Sequence, residues 1–213
     1  LRSATFVNAQ TNQTPPGVSS FFVFRVSNYQ LVTITNELIE ATKESAGAFV
    51  DEVKLNMDTG FRNLSNDLAS SLFEDGTGSR GVIGTIAFVG AVGTITLADP
   101  TTVTQFENSM YLWATPTDGG APTGAGADIA QITGVNRPAG ILTVLVTGGA
   151  PAADWLAGYF LVVQGDIPIA GAATTTAFLK ISGLGAWLPK VAVPTTDSFW
   201  GVNRSVDSRL QGE

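Results

Sequence analysis

Cysteine and histidine are both absent from the 213 residues. Without cysteine there is no disulfide, no thiolate nucleophile and no cysteine-held zinc or iron–sulfur centre. Without histidine the commonest general base and transition-metal ligand are missing too. An enzyme would be left with carboxylate pairs, a Ser-Lys dyad or an oxygen-ligated metal. Charge is sparse: charged residues make up 14% of the chain, and 11 basic side chains face 18 acidic ones for a net charge of −7. That balance repels polyanions and argues against tight nucleic-acid binding through phosphates. Runs of large apolar residues such as Tyr159–Val163 are strand-sized, far short of the ~20 residues that cross a bilayer as a helix. The opening Leu1-Arg2-Ser3-Ala4 carries no initiator Met and no signal-peptide architecture, and is read as the start of a processed or partial chain.

Glycine is plentiful, with 24 residues, and mean hydropathy is +0.23. With so little charge, the surface must be built largely from Ala, Gly, Thr and Ser. Surface of that kind tends to end against a partner, because a free monomer stays soluble through mixed charge.

The strongest periodic signal lies between Asn36 and Gly81. Apolar residues recur at Phe49/Val50, Val53, Met57, Phe61, Leu64, Leu68 and Leu72, steps of three and four that form one helical stripe. Asp51, Glu52, Lys54, Asp58, Arg62, Asn63, Asn66 and Asp67 occupy the other faces. The spacing predicts a helix of roughly 30 residues, about 45 Å long. Asn36 is a good N-cap, with Glu37 and Glu40 at the positive end of the dipole, and predicts a first short helix over 37–45. Gly47 permits a bend before the long helix. Gly76-Thr77-Gly78-Ser79-Arg80-Gly81 satisfies G-x-G-x-x-G, yet it ends a helix where a dinucleotide site must open one. Its expected role is structural, with Gly76 as the left-handed residue that closes the helix.

Residues 1–19 are polar around Pro15-Pro16-Gly17 and read as an extended arm, followed by strand-like Phe21–Val26 and Gln30–Ile34. From Val82 the period changes. Gly84–Val89, Thr94–Leu97, Met110–Ala114, Ile129–Val135, Ile141–Val146 and Tyr159–Gln164 are candidate strands of a small antiparallel barrel or sandwich. Asn136–Gly140 reads as a hairpin turn, Asp99-Pro100 as an N-capped helical turn, Asp118–Gly126 as an exposed tip without an apolar anchor, and 170–176 as a loop.

No constellation of residues declares a catalytic, cofactor or metal site, and none is assigned. Asp51/Glu52, Glu74/Asp75, Asp99, Asp118, Asp128, Asp154, Asp166, Asp197 and Asp207 are scattered as on solvated faces and turns. The calcium-loop pattern is absent. Lys43, Lys54, Lys180 and Lys190 have no dyad partner visible in sequence. Trp113, Trp155, Trp187 and Trp200 read as core or interface anchors rather than as a sugar-stacking platform.

Three segments in order resemble the major capsid protein of tailed bacteriophages with the Hong Kong-97-type fold. They are the helix ending Leu68-Ala69-Ser70-Ser71-Leu72-Phe73-Glu74-Asp75-Gly76-Thr77-Gly78, the β module beginning Thr94-Ile95-Thr96-Leu97-Ala98-Asp99, and Gly185-Ala186-Trp187-Leu188-Pro189 with Asp197-Ser198-Phe199-Trp200-Gly201-Val202-Asn203-Arg204-Ser205. The resemblance implies an α+β fold with a long spine helix, an extended N-terminal arm and an inserted barrel-like module. Residues 1–35 would be arm and extended-loop strands, 36–81 the spine helix of a peripheral domain, 82–182 the inserted module, and 183–213 a return toward an axial domain outside this chain. It implies a non-enzymatic protein of the virion, assembled in the bacterial cytoplasm into an icosahedral shell. Its partners would be copies of itself in hexamers and pentamers, with portal, scaffolding or decoration proteins beside them. Packaged DNA would lie near without specific binding, and no membrane is implied. The alternatives are a glycan- or protein-binding module of a virion surface or adhesin, built on the β block, and a histidine-free hydrolase.

Overall fold

Six antiparallel strands close on themselves around one apolar core. The computed structural model describes residues 5–11, 25–29, 31–33, 40, 46–167, 180–188 and 199–205. The strands are β1 (Ser79–Val89), β2 (Val92–Leu97), β3 (Tyr111–Thr115), β4 (Ile129–Asn136), β5 (Ile141–Gly148) and β6 (Phe160–Val163). Around the wall they run β1-β2-β5-β4-β3-β6, and β6 pairs back onto β1, so the barrel has no open edge. The six stretches expected as strands from Val82 onward correspond to these six, with Met110, Tyr159 and Gln164 falling just outside β3 and β6. β1 begins at Ser79, however, so the expected domain boundary between 81 and 82 falls inside it.

Alternation decides which side chains enter the barrel. β2 buries Gly93, Ile95 and Leu97, and β5 buries Leu142 and Val144. The register sets Ile95 opposite Leu142 and Gly93 opposite Val144, so both strands deliver apolar groups to one layer. Ile83, Leu112, Ala130, Ile132 and Leu161 complete the filling, and Phe106 and Trp155 reach the same core from connecting segments. Phe106 is positioned by a 3-10 turn, Pro100–Gln105, whose N-cap Asp99 accepts from the Thr101 amide at 3.0 Å. The loop before β4 is anchored, contrary to expectation. Trp155 Nε1 donates to Thr123 Oγ1 at 3.1 Å, and buried Asp128 accepts from the Ala150 amide at 2.8 Å.

The expected α+β fold of the Hong Kong-97 type is overturned. The chain has a mostly β fold organised on a closed barrel, with no spine helix braced along a core. Among the described residues, one helix exceeds six residues: α2, Ala46–Ser71, which follows the short α1 (Phe6–Thr11). At 26 residues it spans about 39 Å and is shorter than the 36–81 segment assigned to it. The physical reason lies in the barrel. Its ladder is closed and its interior is filled by its own side chains, so the core is complete without the helix. Residues 25–29 and 31–33 have no regular structure where strands are expected, and α1 replaces part of the expected extended arm. The short helix expected over 37–45 and the loop at 170–176 lie outside the described residues, apart from helical Glu40.

Candidate functional site

Two faces of α2 carry opposite chemistry. The face turned toward the rest of the molecule is marked by Val53, Asn56, Gly60, Leu64, Asp67 and Ser71, spaced three and four apart. Apart from Val53 and Leu64 it is polar or small. One residue further along, and therefore about 100° around the helix, stand Met57, Phe61, Leu68 and Leu72, with Val50 on the same side. These five are between 42% and 71% exposed. The expected apolar stripe is therefore split: Val53 and Leu64 turn inward, whereas Val50, Met57, Phe61, Leu68 and Leu72 face outward, and Phe61 is not part of the packed core that the period suggested.

The inward face meets the barrel through ions. Asp67 Oδ1 accepts from Arg80 Nη2 at 2.7 Å, and Asp67 Oδ2 accepts from Lys180 Nζ at 3.0 Å. Asp166 closes the circuit, 3.3 Å from Arg80 Nη2 and 2.9 Å from Lys180 Nζ. Two cations and two carboxylates thus alternate in a ring drawn from α2, from β1, from the turn after β6 and from the segment at residue 180. Asn28 Nδ2 adds a bond to Asp67 Oδ2 at 3.2 Å. Burial alone would lower the Lys180 pKa, but Asp166 and Asp67 outweigh it and hold the ammonium above its usual range.

Glu74 is a fifth member without a place in the ring. Its side chain is 5% exposed, its Oε1 lies 4.0 Å from Arg80 Nε, and that oxygen has no hydrogen-bond partner. Burial, with Asp166, Asp67 and Asp75 adding to it against the pull of Arg80, pushes its pKa from 4.5 to about 7. A separate pair forms at the loop before β4. Much of Asp118 is exposed, but its carboxyl is tucked against Asp75, and burial together with that neighbour raises it to about 6 while the Thr77 and Ser79 hydroxyls hold it down.

No family model, curated protein or solved structure matches this chain.

Residues weighed in sequence scatter accordingly. Asp67, which sequence reading placed on a solvated face, is the hub of the ring. Lys180 is buried in it, whereas Lys54 and Asp154 are exposed. Lys43, Lys190, Asp197 and Asp207 lie outside the described residues. Trp113 and Trp155 are buried in the barrel region. Trp187 packs edge-on against Phe199 at 4.9 Å and near Trp200 at 6.4 Å, while Arg204 lies 4.1 Å over the Phe199 ring. The four tryptophans do not converge. Gly76 has the expected positive φ, 94°, but α2 ends at Ser71 and a turn through Phe73 and Glu74 intervenes, so Gly76 does not itself close the helix. Among the described residues no group of three acidic side chains could hold a metal ion, and no helix is long and apolar enough to cross a membrane.

Proposed function

We propose that this chain is a structural subunit that builds a closed shell with copies of itself, the head shell of a tailed bacteriophage. One observation carries the reading: a stripe of five large apolar side chains lies exposed along a rod of about 39 Å, about 100° around from the face that meets the barrel. Such a stripe is a docking face. A second copy is the occupant its spacing fits, since Met57, Phe61, Leu68 and Leu72 follow one another at steps of four and seven along one face, and helices with such a face interlock with their own kind. Burying each side chain fully contributes roughly 1.5–3 kcal/mol. The weakly charged surface, with 14% charged residues, supports the same reading, with hexamers and pentamers as the units and the virion as the location.

The test is assembly. Purified protein measured by light scattering and negative-stain microscopy should form particles of megadalton mass. Phe61→Asp should abolish them while the subunit's own melting changes by about 0.5 kcal/mol or less, as for exposed positions. A sharp monomer peak from the wild-type protein at all concentrations overturns the reading.

A second reading has one observation in its favour. A cleft of about 700 Å³ between α2, Ser27–Tyr29 and the barrel is lined by the carboxamides of Asn28, Asn63, Asn66, Gln105, Asn108 and Gln164. Carboxamides both donate and accept, as sugar hydroxyls require. Saturable glycan binding by a monomer would favour a surface-binding module.

A further inference from the structure

We propose that the ionic cluster at the root of α2 is a proton-operated joint, which holds the helix firmly to the barrel when Glu74 is protonated and loosens when Glu74 is ionised. The joint belongs to the single subunit. That its movement re-aims the assembly face rests on the reading above.

The geometry sets the balance of charge. The ring of Arg80, Asp67, Lys180 and Asp166 is neutral by itself, two cations against two carboxylates at 2.7–3.3 Å. Protonated Glu74 leaves that balance intact. Ionised Glu74 adds one negative charge in a place that is 5% exposed, with Oε1 unbonded and the nearest cation 4.0 Å away. A buried charge without a hydrogen bond is costly, and the surrounding structure can relieve it by opening.

Among the described residues, the charged groups around Glu74 come from four stretches. α2 and its exit contribute Asp67 and Asp75 with Glu74 itself, β1 contributes Arg80, the turn after β6 contributes Asp166, and the segment after the barrel contributes Lys180. The short helix at Leu184–Trp187, whose Gly185 lies against the backbone of Phe73 and Glu74, carries no ionisable side chain. The ring is also what ties these stretches together, since α2, β1 and residue 180 meet through it and through the Lys180 amide bonded to Gly76 O at 2.9 Å.

The sign follows from linkage. Glu74 binds its proton more tightly in the closed joint, about 7, than at its ordinary 4.5. Closure is therefore fully supported below about pH 4.5 and loses support as pH rises to about 7, beyond which nothing more is lost. Across that window the opening equilibrium rises by up to about tenfold per pH unit.

The experiment is amide hydrogen exchange on the full chain from pH 5 to pH 8, corrected for intrinsic rates, with β4 and β5 as internal reference. Amides of residues 67–80 should lose protection about tenfold or more between pH 5.5 and 7.5 and then level off, while the reference strands stay constant. Glu74→Gln should keep the protected state at every pH, and Asp166→Asn should move the midpoint to lower pH. Flat protection across the range in the wild-type protein overturns the joint, as does a Glu74→Gln profile that matches the wild type. Asp118, raised to about 6 beside Asp75, titrates in the same window; an Asp118→Asn protein that keeps the wild-type profile supports the joint, and one that loses the pH dependence overturns it. A pH-dependent joint in a protein that never forms particles would leave the joint standing and remove the assembly reading; particles from a subunit with a flat profile would do the reverse.

Discussion

At Gly93, strand β2 passes so close to β1 and β5 that a Cβ would lie 2.9 Å from Val144 Cγ2 and nearer still to the Phe88 ring. Here glycine serves close approach rather than an unusual backbone angle. Gly93→Ala should therefore cost about 1–3 kcal/mol through overpacking, read as a lowered denaturant midpoint with unchanged slope. Unaltered stability would mean that Phe88 swings clear at little cost. The same scale explains why Glu74 stands apart from the other carboxylates. Asp67 and Asp166 each meet both Arg80 and Lys180, whereas Glu74 meets a cation only at 4.0 Å and has no bond to its Oε1. Deeper burial, first, and the lack of a close cation, second, set Glu74 apart as the carboxylate pushed toward neutrality.

Among elements, α2 and its exit matter most, because they connect an outward apolar stripe to an inward ionic root. The exit turns at Gly76, where φ is 94° and where the carbonyl holds the Lys180 amide. A β-branched residue is strained at that angle. Gly76→Val should cost about 1–3 kcal/mol and disturb the path from Ser71 to Arg80 while the barrel stays folded. Melting followed by barrel tryptophan fluorescence, set beside particle yield, checks this, and the yield should fall further than the melt. Normal particles and a normal melt together would show that the exit tolerates a different backbone. The two tight hairpins of the barrel use the same feature, since Gly90 between β1 and β2 and Gly140 between β4 and β5 both have a φ of 64°.

For the molecule as a whole, stability should be unequal. The closed barrel owns the apolar core, whereas α2 is held to it by ions and leaves its large side chains uncovered. In the free subunit, amides of β5 should exchange only through global unfolding, and those of α2 through local opening many times faster. In assembled particles α2 should approach the barrel in protection, because the stripe is then covered. Equal protection of α2 and β5 in the free subunit would show that the helix needs no partner.

How much of this was legible follows from range. Period two in β2 and β5, and steps of three and four from Val50 to Leu72, depend on neighbours in sequence, so the six strands and the existence of α2 could be read directly. The capping by Asp99 and the positive φ of Gly76 are equally local. Which face of α2 turns inward was not local. Its period suggested that Phe61 would be buried, but the barrel closes on its own side chains and leaves the helix to be seated by Asp67, through Arg80 13 residues away and Lys180 113 residues away. Nor could the ring be seen in advance, because Asp67, Arg80, Asp166 and Lys180 carry no motif and meet only when β1 pairs with β6. The sequence by itself determined the six barrel strands and α2, the lack of thiol and imidazole chemistry, and the presence of an apolar stripe. Tertiary structure alone decided that the strands close into a barrel, that the stripe faces out and that one glutamate is stranded beside a neutral ring, since each depends on contacts between residues far apart in the chain.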